Sequence, residues 1–250
     1  MSWKIELKQN MEKTKNAVMI VALPGIASAG KIAIDYLITE LKTKKIGEFI
    51  SDNGVGFTFI NENNLIEIPK ISLFHKKIKT RDFFFLTGDY QPNEEKDLYD
   101  LCNEIIKYCE KMKITELLTL GGIGLQDEPE KPEVYVVANN SKFKNHLKQF
   151  KFKINPNRKV GTIIGITGLL VALAKFNASA MLVETNVYTG HLGFNASKFL
   201  IKAIKKMYGI DLKFNNLNKE LKMVKKIQDE TMTIINKEYS KSLTKQDYIG

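Results

Sequence analysis

The sequence predicts a three-layer α/β/α fold with a mostly parallel central sheet. Short runs of apolar, often β-branched residues alternate with longer segments whose apolar residues recur at helical spacing. Several of the runs end in glycine-rich turns, as strands do before crossover helices. The chain has 250 residues, of which 44% are hydrophobic, enough for one large core. A β-meander insertion and a C-terminal helical tail complete the predicted fold.

The clearest strand–turn–helix unit begins with residues 18–23, an apolar run too short for a helix. A Pro-Gly turn follows, and from Ile26 onward the apolar residues recur every three or four positions. The turn also matches a phosphate-binding loop from Gly25 to Lys31, but Ile32 stands where that motif needs a hydroxyl to bind magnesium. The missing hydroxyl favours a glycine turn packed on a neighbouring strand over a nucleotide site.

The remaining elements follow the same two periodicities. Strands are predicted over residues 4–9, 46–50, 57–60, 65–68, 71–74, 82–87, 116–120, 134–138 and 180–184. The three strands between 57 and 74 form the predicted meander. Helices are predicted over 92–112, from Ser141, after Gly165 and over 195–207. Ser141 and Asn195 are the predicted N-caps, and Gly209 ends the last of these helices.

The predicted domain organisation has three parts. Residues 1–212 form a single α/β/α domain, residues 213–240 a charged amphipathic helix, and residues 241–250 a flexible tail. The helix carries an apolar stripe that includes Leu221 and Val224. Such a stripe folds onto the domain or pairs with a second copy, and the sequence leaves both open.

Composition excludes several classes of function. The formal net charge is +10, yet only Arg81 and Arg158 among the 38 basic residues are arginines, so dedicated nucleic-acid binding is not expected. No apolar run reaches the length of a membrane span, and residues 1–17 lack the apolar centre of a signal peptide. These features predict a cytoplasmic protein without a membrane partner.

The two cysteines do not form a recognisable metal motif. Cys102 and Cys109 lie seven residues apart on one predicted helix, without a CxxC pair and with only three histidines in the chain. A reduced, buried pair is expected. No metal site and no cofactor is predicted.

The candidate pocket rests on three glycine-rich turns that follow predicted buried strands. In a doubly wound sheet such turns meet at the carboxyl ends of the strands, where ligands bind. The candidate pocket residues are Gly25, Gly30, Lys31, Gly122, Gly124, Gly165, Gly168, Glu184, Thr185 and His191. Glu184 is either a functional carboxylate or a cap for backbone amides, and His191 lies in a loop. No catalytic constellation is complete, so no catalytic residue is predicted.

Four segments together carry a family resemblance: LPGI and GKIA within residues 23–33, GGIG at 121–124, GITGLL at 165–170, and ET at 184–185. In this order and spacing they resemble the proteasome assembly chaperone family, particularly its archaeal members, over most of residues 17–240. The match is specific as a set, although each segment alone is weak.

The resemblance implies a non-enzymatic protein, commonly homo-oligomeric, that helps proteasome α subunits assemble or binds the finished α ring. The family commonly shows Asp-Pro-x-Ala-Ala after the Glu-Thr pair, whereas this chain has FNAS at 194–197. Some members have been labelled as relatives of ATP-grasp ligases, which makes ATP-dependent carboxylate ligation the alternative. The sequence offers neither a magnesium-binding carboxylate pair nor a phosphate lid for it.

The carboxyl terminus is the predicted partner-binding segment. Proteasome activators and some assembly factors dock a tail that ends hydrophobic-Tyr-any residue between α subunits, and this chain ends with Tyr248, Ile249 and Gly250. The tyrosine is third from the end instead of second, so the resemblance is loose. The alternative is an ordinary frayed terminus.

Overall fold

The structure is a computed structural model. It describes residues 3–8, 14, 16–52, 55–60, 63–127, 129–154, 161–188 and 190–212. Met1–Leu212 forms one compact unit. The predicted helix over 213–240 and the tail over 241–250 lie outside the described residues, so the division into three parts stays a prediction.

A central sheet of eight strands organises the described part of the chain. Its strand order is β1-β3-β6-β7-β2-β8-β10-β9, and β4 and β5 form a separate hairpin. The strands are β1 Trp3–Leu7, β2 Ala17–Ala22, β3 Lys44–Ser51, β4 Phe59–Ile60, β5 Ile66–Glu67, β6 Ile71–Ile78, β7 Arg81–Gly88, β8 Ile114–Leu125, β9 Val134–Ala138 and β10 Asn177–Asn186.

The sheet is mixed, with parallel strands at its centre. Strands β7, β2, β8 and β10 pair in parallel, whereas β1, β3, β6 and β9 join through antiparallel pairs. The parallel character that the sequence predicted thus belongs to the centre. The antiparallel part arises because β6 and β7 are separated by only two residues, and such a connection permits only an antiparallel pair.

Helices cover the sheet in two pairs. The helices are α1 Ala29–Glu40, α2 Glu95–Met112, α3 Ser141–Leu147, α4 Ile166–Leu173 and α5 Phe194–Tyr208. Helices α1 and α5 pack against each other, as do α2 and α4, and each pair packs on the sheet. The Sγ atom of Cys109 in α2 lies 3.5 Å from the Sδ atom of Met19 in β2. Because side chains alternate along a strand, Val18 and Ile20 face the opposite helix layer. The three-layer α/β/α fold is therefore confirmed.

The predicted meander is divided between two places. Its last segment became β6 of the main sheet, whereas the first two form the short β4–β5 hairpin. In this hairpin only Phe59 and Ile60 pair with Glu67 and Ile66. Its large apolar side chains Phe59, Ile60 and Ile66 remain exposed.

Several predicted turns and caps are wrong. Residues 121–124 are part of β8 and do not form the turn that was predicted after residue 120, since β8 pairs with β10 as far as Leu125. Asn140, not Ser141, caps α3 by accepting a hydrogen bond from the Phe143 N–H. Gly193 is the N-cap of α5. Gly209 does end α5, with a left-handed φ of 62°.

Candidate functional site

A cavity of about 590 Å³ lies at the carboxyl ends of the central strands. It is enclosed by the turn between β2 and α1, the second half of β8, and the segment that leads into α4. Its lining residues are Leu23, Pro24, Gly25, Ile26, Gly30, Gln91, Leu120, Gly121, Gly122, Ile123, Gly124, Gly161, Thr162, Ile163, Ile164, Thr167, Leu182 and Val187.

The topology explains why the cavity lies here. The chain leaves β2 through α1 in one helix layer and leaves β7 through α2 in the other, and β2 is the neighbour of β8. Connections that diverge from adjacent parallel strands leave a crevice at their carboxyl ends. In addition, β8 pairs with β2 only as far as Thr119 but with β10 as far as Leu125. The space beyond the end of β2 is the cavity.

The part of the cavity wall that the structure describes is electrically neutral. Among the described residues that line it there is no Asp, Glu, Lys, Arg, His, Cys or Tyr. Polar groups come from Gln91, Thr162, Thr167 and the peptide units of the glycines. General acid–base or thiol catalysis requires groups that this lining does not provide. The wall suits an uncharged ligand with apolar surface and a few hydrogen-bonding groups.

The turn between β2 and α1 has a strained backbone that lies directly on β8. Ala27 and Ser28 both have φ near 49°, a left-handed conformation that non-glycine residues rarely adopt. The Ala27 carbonyl accepts a hydrogen bond of 2.7 Å from the Gly193 N–H, which ties the turn to the loop before α5. A Cβ atom on Gly30 would lie 2.6 Å from the Leu120 carbonyl oxygen. Glycine at position 30 therefore permits this close approach.

Lys31 does not line the cavity. Its Nζ atom lies 2.5 Å from Asp35 Oδ2, one helical turn further along α1. The other carboxylate oxygen of Asp35 accepts a hydrogen bond of 2.7 Å from the Thr87 hydroxyl at the end of β7. A phosphate-binding loop instead directs this lysine at the bound phosphates. The observed pairing supports the interpretation of this segment as a glycine turn.

Gln91 joins the end of β7 to the start of α4. Its Oε1 atom accepts a hydrogen bond of 3.1 Å from the Ile166 N–H, at the N-terminus of α4. Gly165 has a φ of 81°, and a Cβ there would lie 2.5 Å from Gln91 Nε2. Gly165 thus lies behind Gln91 and not in the cavity wall. Gly168 lies inside α4, where a Cβ would be 2.8 Å from the Ile163 carbonyl oxygen.

Glu184 has structural partners. It is 3% exposed, and its Oε2 atom accepts a hydrogen bond of 3.0 Å from the Glu133 N–H just before β9. The Tyr135 hydroxyl lies 3.3 Å from Glu184 Oε1 and 2.7 Å from a carboxylate oxygen of Glu133. This arrangement matches the interpretation of Glu184 as a cap for backbone amides, although the capped amide belongs to Glu133, just before β9, and not to the loop that follows β10.

Thr185 and His191 also lie outside the cavity wall. Thr185 is fully buried near the N-terminus of α5, where its Oγ1 would be 2.9 Å from a Cβ on Gly193. The His191 N–H donates a hydrogen bond of 3.1 Å to the Tyr188 carbonyl. In the described part of the chain, no three His, Cys, Asp or Glu residues are close enough together to hold a metal ion.

The structure therefore brings together part of the predicted pocket. Gly25, Gly30, Gly122 and Gly124 line the cavity, and the other six predicted residues do not. That any of the ten is functional stays a prediction. Sequence reasoning missed the lining residues Gln91, Thr162, Ile163, Ile164, Thr167 and Val187. The only available signal was the position of Thr167 between the two glycines of the third turn.

Comparison with known proteins identifies the family. The family model described as "PAC2 family" matches residues 19–232. The chain belongs to the PAC2 family. The family resemblance predicted from residues 23–33, 121–124 and 165–170 is confirmed.

Several known proteins are similar to this chain along nearly its whole length. PbaB of Pyrococcus furiosus, described as an archaeal proteasome activator, has a TM-score of 0.82 at 23% identity, over 92% of this chain and 99% of its own. PbaA of the same organism, described as an archaeal homolog of proteasome-assembly chaperone, has a TM-score of 0.72 at 21% identity, with coverage of 92% and 99%. Uncharacterized protein MJ1210 of Methanocaldococcus jannaschii is 24% identical over 90% of this chain and 89% of its own.

No helix in the described ranges combines the length and the apolar character needed to cross a bilayer.

Proposed function

We propose that this PAC2 protein is a non-enzymatic, proteasome assembly chaperone-like protein that binds proteasome α subunits or the finished α ring. The observation that carries the proposal is the match to PbaB, which extends over 99% of that chain. The neutral lining of the cavity supports a binding role over a catalytic one. Cytoplasmic localisation is part of the same proposal.

The C-terminal tail is the proposed contact with the α ring. Tyr248 and Ile249 would contribute apolar area in a groove between α subunits, and the carboxylate of Gly250 would accept a charge-assisted hydrogen bond from a lysine there. These three residues lie outside the described residues, so the support is their resemblance to the tails of proteasome activators.

A pull-down with purified archaeal proteasome α subunits tests the proposal. The full chain is compared with a chain that ends at Lys245, which lacks the last five residues. We expect the full chain to retain α subunits and the shortened chain to retain at least tenfold less. Equal retention by both chains would remove the tail from the mechanism, and retention by neither would refute the proposed partner.

An ATPase assay tests the enzymatic alternative. Because Lys31 pairs with Asp35 and Ile32 replaces the magnesium ligand, we expect no ADP release above background with ATP and magnesium. The Lys31→Ala variant, which removes the ammonium group, is expected to behave identically. Turnover in the natural chain that disappears in this variant would contradict a non-enzymatic role.

Self-association is a further part of the proposal. The β4–β5 hairpin presents Ile60 and Ile66, each 74% exposed, and both lie opposite each other in the hairpin. Burial of such side chains between subunits contributes about 1.5–3 kcal/mol for each one fully buried. The exposed hairpin supports a homo-oligomer, with a contact surface inside the described domain.

A further inference from the structure

The mouth of the cavity has an exposed apolar rim. Ile164 is 88% exposed, Val187 54% and Ile26 43%, although all three also line the cavity. A small molecule held wholly inside the cavity would leave this rim in water. Exposed apolar side chains around a pocket are typical of a surface that a larger partner covers.

One edge of β8 forms no backbone hydrogen bonds along the cavity. Beyond Thr119, β8 has no partner in β2, whereas its other edge stays paired with β10 to Leu125. No backbone hydrogen bond joins residues 120–124 to residues 23–28 in the described part of the chain. Alternate residues of a strand direct their N–H and C=O groups to opposite neighbours, so about half of these groups face the cavity. The Leu120 carbonyl is covered, because the Thr167 hydroxyl lies 3.5 Å from it and a Cβ on Gly30 would lie 2.6 Å from it. The groups that remain available therefore lie within residues 121–124.

A strand edge without backbone partners, next to an uncharged apolar cavity, is suited to bind one kind of ligand, an added strand. The edge offers backbone donors and acceptors to an added strand, and the cavity offers space for one of its side chains. Because the described lining carries no charged residue, a charged side chain would lose its hydration without gaining a partner. We propose that the cavity binds an extended, uncharged apolar segment of a protein partner, which pairs along residues 121–124 of β8 and places one side chain in the cavity.

This contact differs from the tail contact of the proposed function. There the present chain inserts its own terminus into the partner, whereas here the partner inserts a segment into the present chain. The identity of the partner as an α subunit rests on the proposed function, but the chemistry of the inserted segment does not.

Peptide binding to the full-length protein tests the inference. Two arrays of 15-residue peptides are the probes: overlapping peptides that cover a proteasome α subunit, and peptides of random sequence. Peptides that bind are then labelled and titrated by fluorescence anisotropy. We expect the bound peptides to share a run of at least three uncharged apolar residues.

Three variants locate the binding site. Ile164→Asp and Val187→Asp each place a charge at the mouth without changing the core, and both are expected to weaken binding at least tenfold. Ile68→Asp is the matched control, because Ile68 is 68% exposed and does not line the cavity. It is expected to change binding by less than twofold. Unchanged binding in both mouth variants would overturn the inference.

Backbone pairing is tested with N-methylated peptides. Methylation of one alternate set of amides removes the donors that pair with β8, while methylation of the other set affects groups that face away. We expect at least a tenfold loss with one set and less than a twofold loss with the other. Equal effects of both sets would overturn pairing along β8.

The remaining outcomes separate this inference from the proposed function. Absence of any bound peptide, while the full chain retains α subunits in the pull-down, overturns the inference alone. A second outcome is that only peptides of the random array bind, with the expected apolar runs, and that the pull-down fails. This outcome supports the inference and refutes the proposed partner. If the neutral dye Nile red binds and no peptide displaces it, the cavity is assigned to a small molecule. If the protein is a dimer that Ile164→Asp dissociates, the cavity is assigned to a second copy of the chain. Either result overturns the inference.

Discussion

At the scale of single residues, glycines set how closely the elements around the cavity approach. Gly30 and Gly122 face backbone oxygens of Leu120 and Ile26, at distances of 2.6 and 2.8 Å from where a Cβ would lie. Contacts this short leave no room for a methyl group unless the backbone moves. Ala27 and Ser28, in the same turn, have a left-handed conformation that non-glycine residues rarely adopt.

The Gly30→Ala substitution is expected to destabilise the protein by about 1–3 kcal/mol, because the new methyl group would overlap the backbone of Leu120. The loss exceeds the gain of about 1 kcal/mol in helix propensity. The change in the free energy of unfolding is measured by urea unfolding followed by tryptophan fluorescence, since Trp3 is the only tryptophan in the sequence and is buried. Gly56→Ala is the control, with no atom within 4 Å of its Cβ and an expected change under about 0.5 kcal/mol.

At the scale of elements, the structure combines well-buried helices with one poorly buried hairpin. Helix α2 buries Leu101, Cys102, Ile105 and Cys109 completely, at the helical spacing that the sequence shows. The β4–β5 hairpin has the opposite property, because its strands pair over two residues each and expose their apolar side chains. A hairpin of this kind is marginally stable alone in water and gains stability from a partner surface.

The buried thiols of α2 predict a pH dependence of stability. Desolvation by burial raises the pKa of Cys102 from 9.0 to about 12, and burial also raises the pKa of Cys109. The folded thiol keeps its proton while the unfolded one loses it above pH 9. The contribution of the Cys102 thiol to the free energy of unfolding is therefore complete below pH 9 and is lost as the pH rises toward 12. For one thiol, the free energy of unfolding falls by up to about 1.4 kcal/mol per pH unit.

Urea unfolding at pH 8 and pH 10 measures this effect. The natural chain is expected to lose more stability between the two values than the Cys102→Ala variant, by about 1 kcal/mol. At pH 8 both thiols are expected to react with a thiol reagent only after denaturant is added. Rapid labelling of the native protein, or parallel pH profiles of the two chains, would contradict the buried state.

The hairpin predicts how self-association responds to charge. Ile60→Lys combined with Ile66→Lys places two charges on the exposed surface, and we expect the oligomer to dissociate at least tenfold more readily because those charges would be desolvated in a subunit contact. Light scattering at micromolar concentration measures the change. Ile164→Lys changes another highly exposed isoleucine, at the cavity mouth, and serves as the control with no expected effect. A monomer in the natural chain, or an unchanged oligomer in the double variant, would exclude this contact.

At the scale of the whole molecule, the parallel centre of the sheet places the cavity and the helices divide into two layers around it. All the described elements lie within Met1–Leu212, which forms one compact unit. The buried core extends across β2, β7, β8 and β10 and both helix layers. Every described residue that lines the cavity belongs to this unit.

A fragment that ends at Leu212 is therefore expected to fold on its own. Its thermal midpoint, measured by circular dichroism and by the fluorescence of Trp3, is expected to lie within a few degrees of that of the full chain. The buried ring of Trp3 donates a hydrogen bond of 2.8 Å to Asp97, so its emission reports docking of β1. A fragment that aggregates or unfolds without a cooperative transition would show that the domain boundary is wrong.

The fold class and much of the element order were predictable, because burial leaves a local signature in the sequence. The apolar runs over β2 and β7 and the helical spacing in α2 identify elements whose buried faces repeat every two or 3.6 residues. The four short motifs identify the family for the same reason. Each consists of adjacent residues whose order is visible without the fold.

Only the tertiary structure decided which of these segments form the cavity. Residues 121–124 have the composition of a turn, yet they continue β8 because β10, some 60 residues later, pairs with them as far as Leu125. The Lys31 side chain does not line the cavity, because its ammonium group pairs with Asp35. Gln91 accepts a hydrogen bond from Ile166 at the start of α4, which is 75 residues later in the chain. The sequence by itself determined the periodic faces that are buried. Strand length, side-chain direction and the cavity depend on partners distant in the chain, whose positions no local pattern encodes.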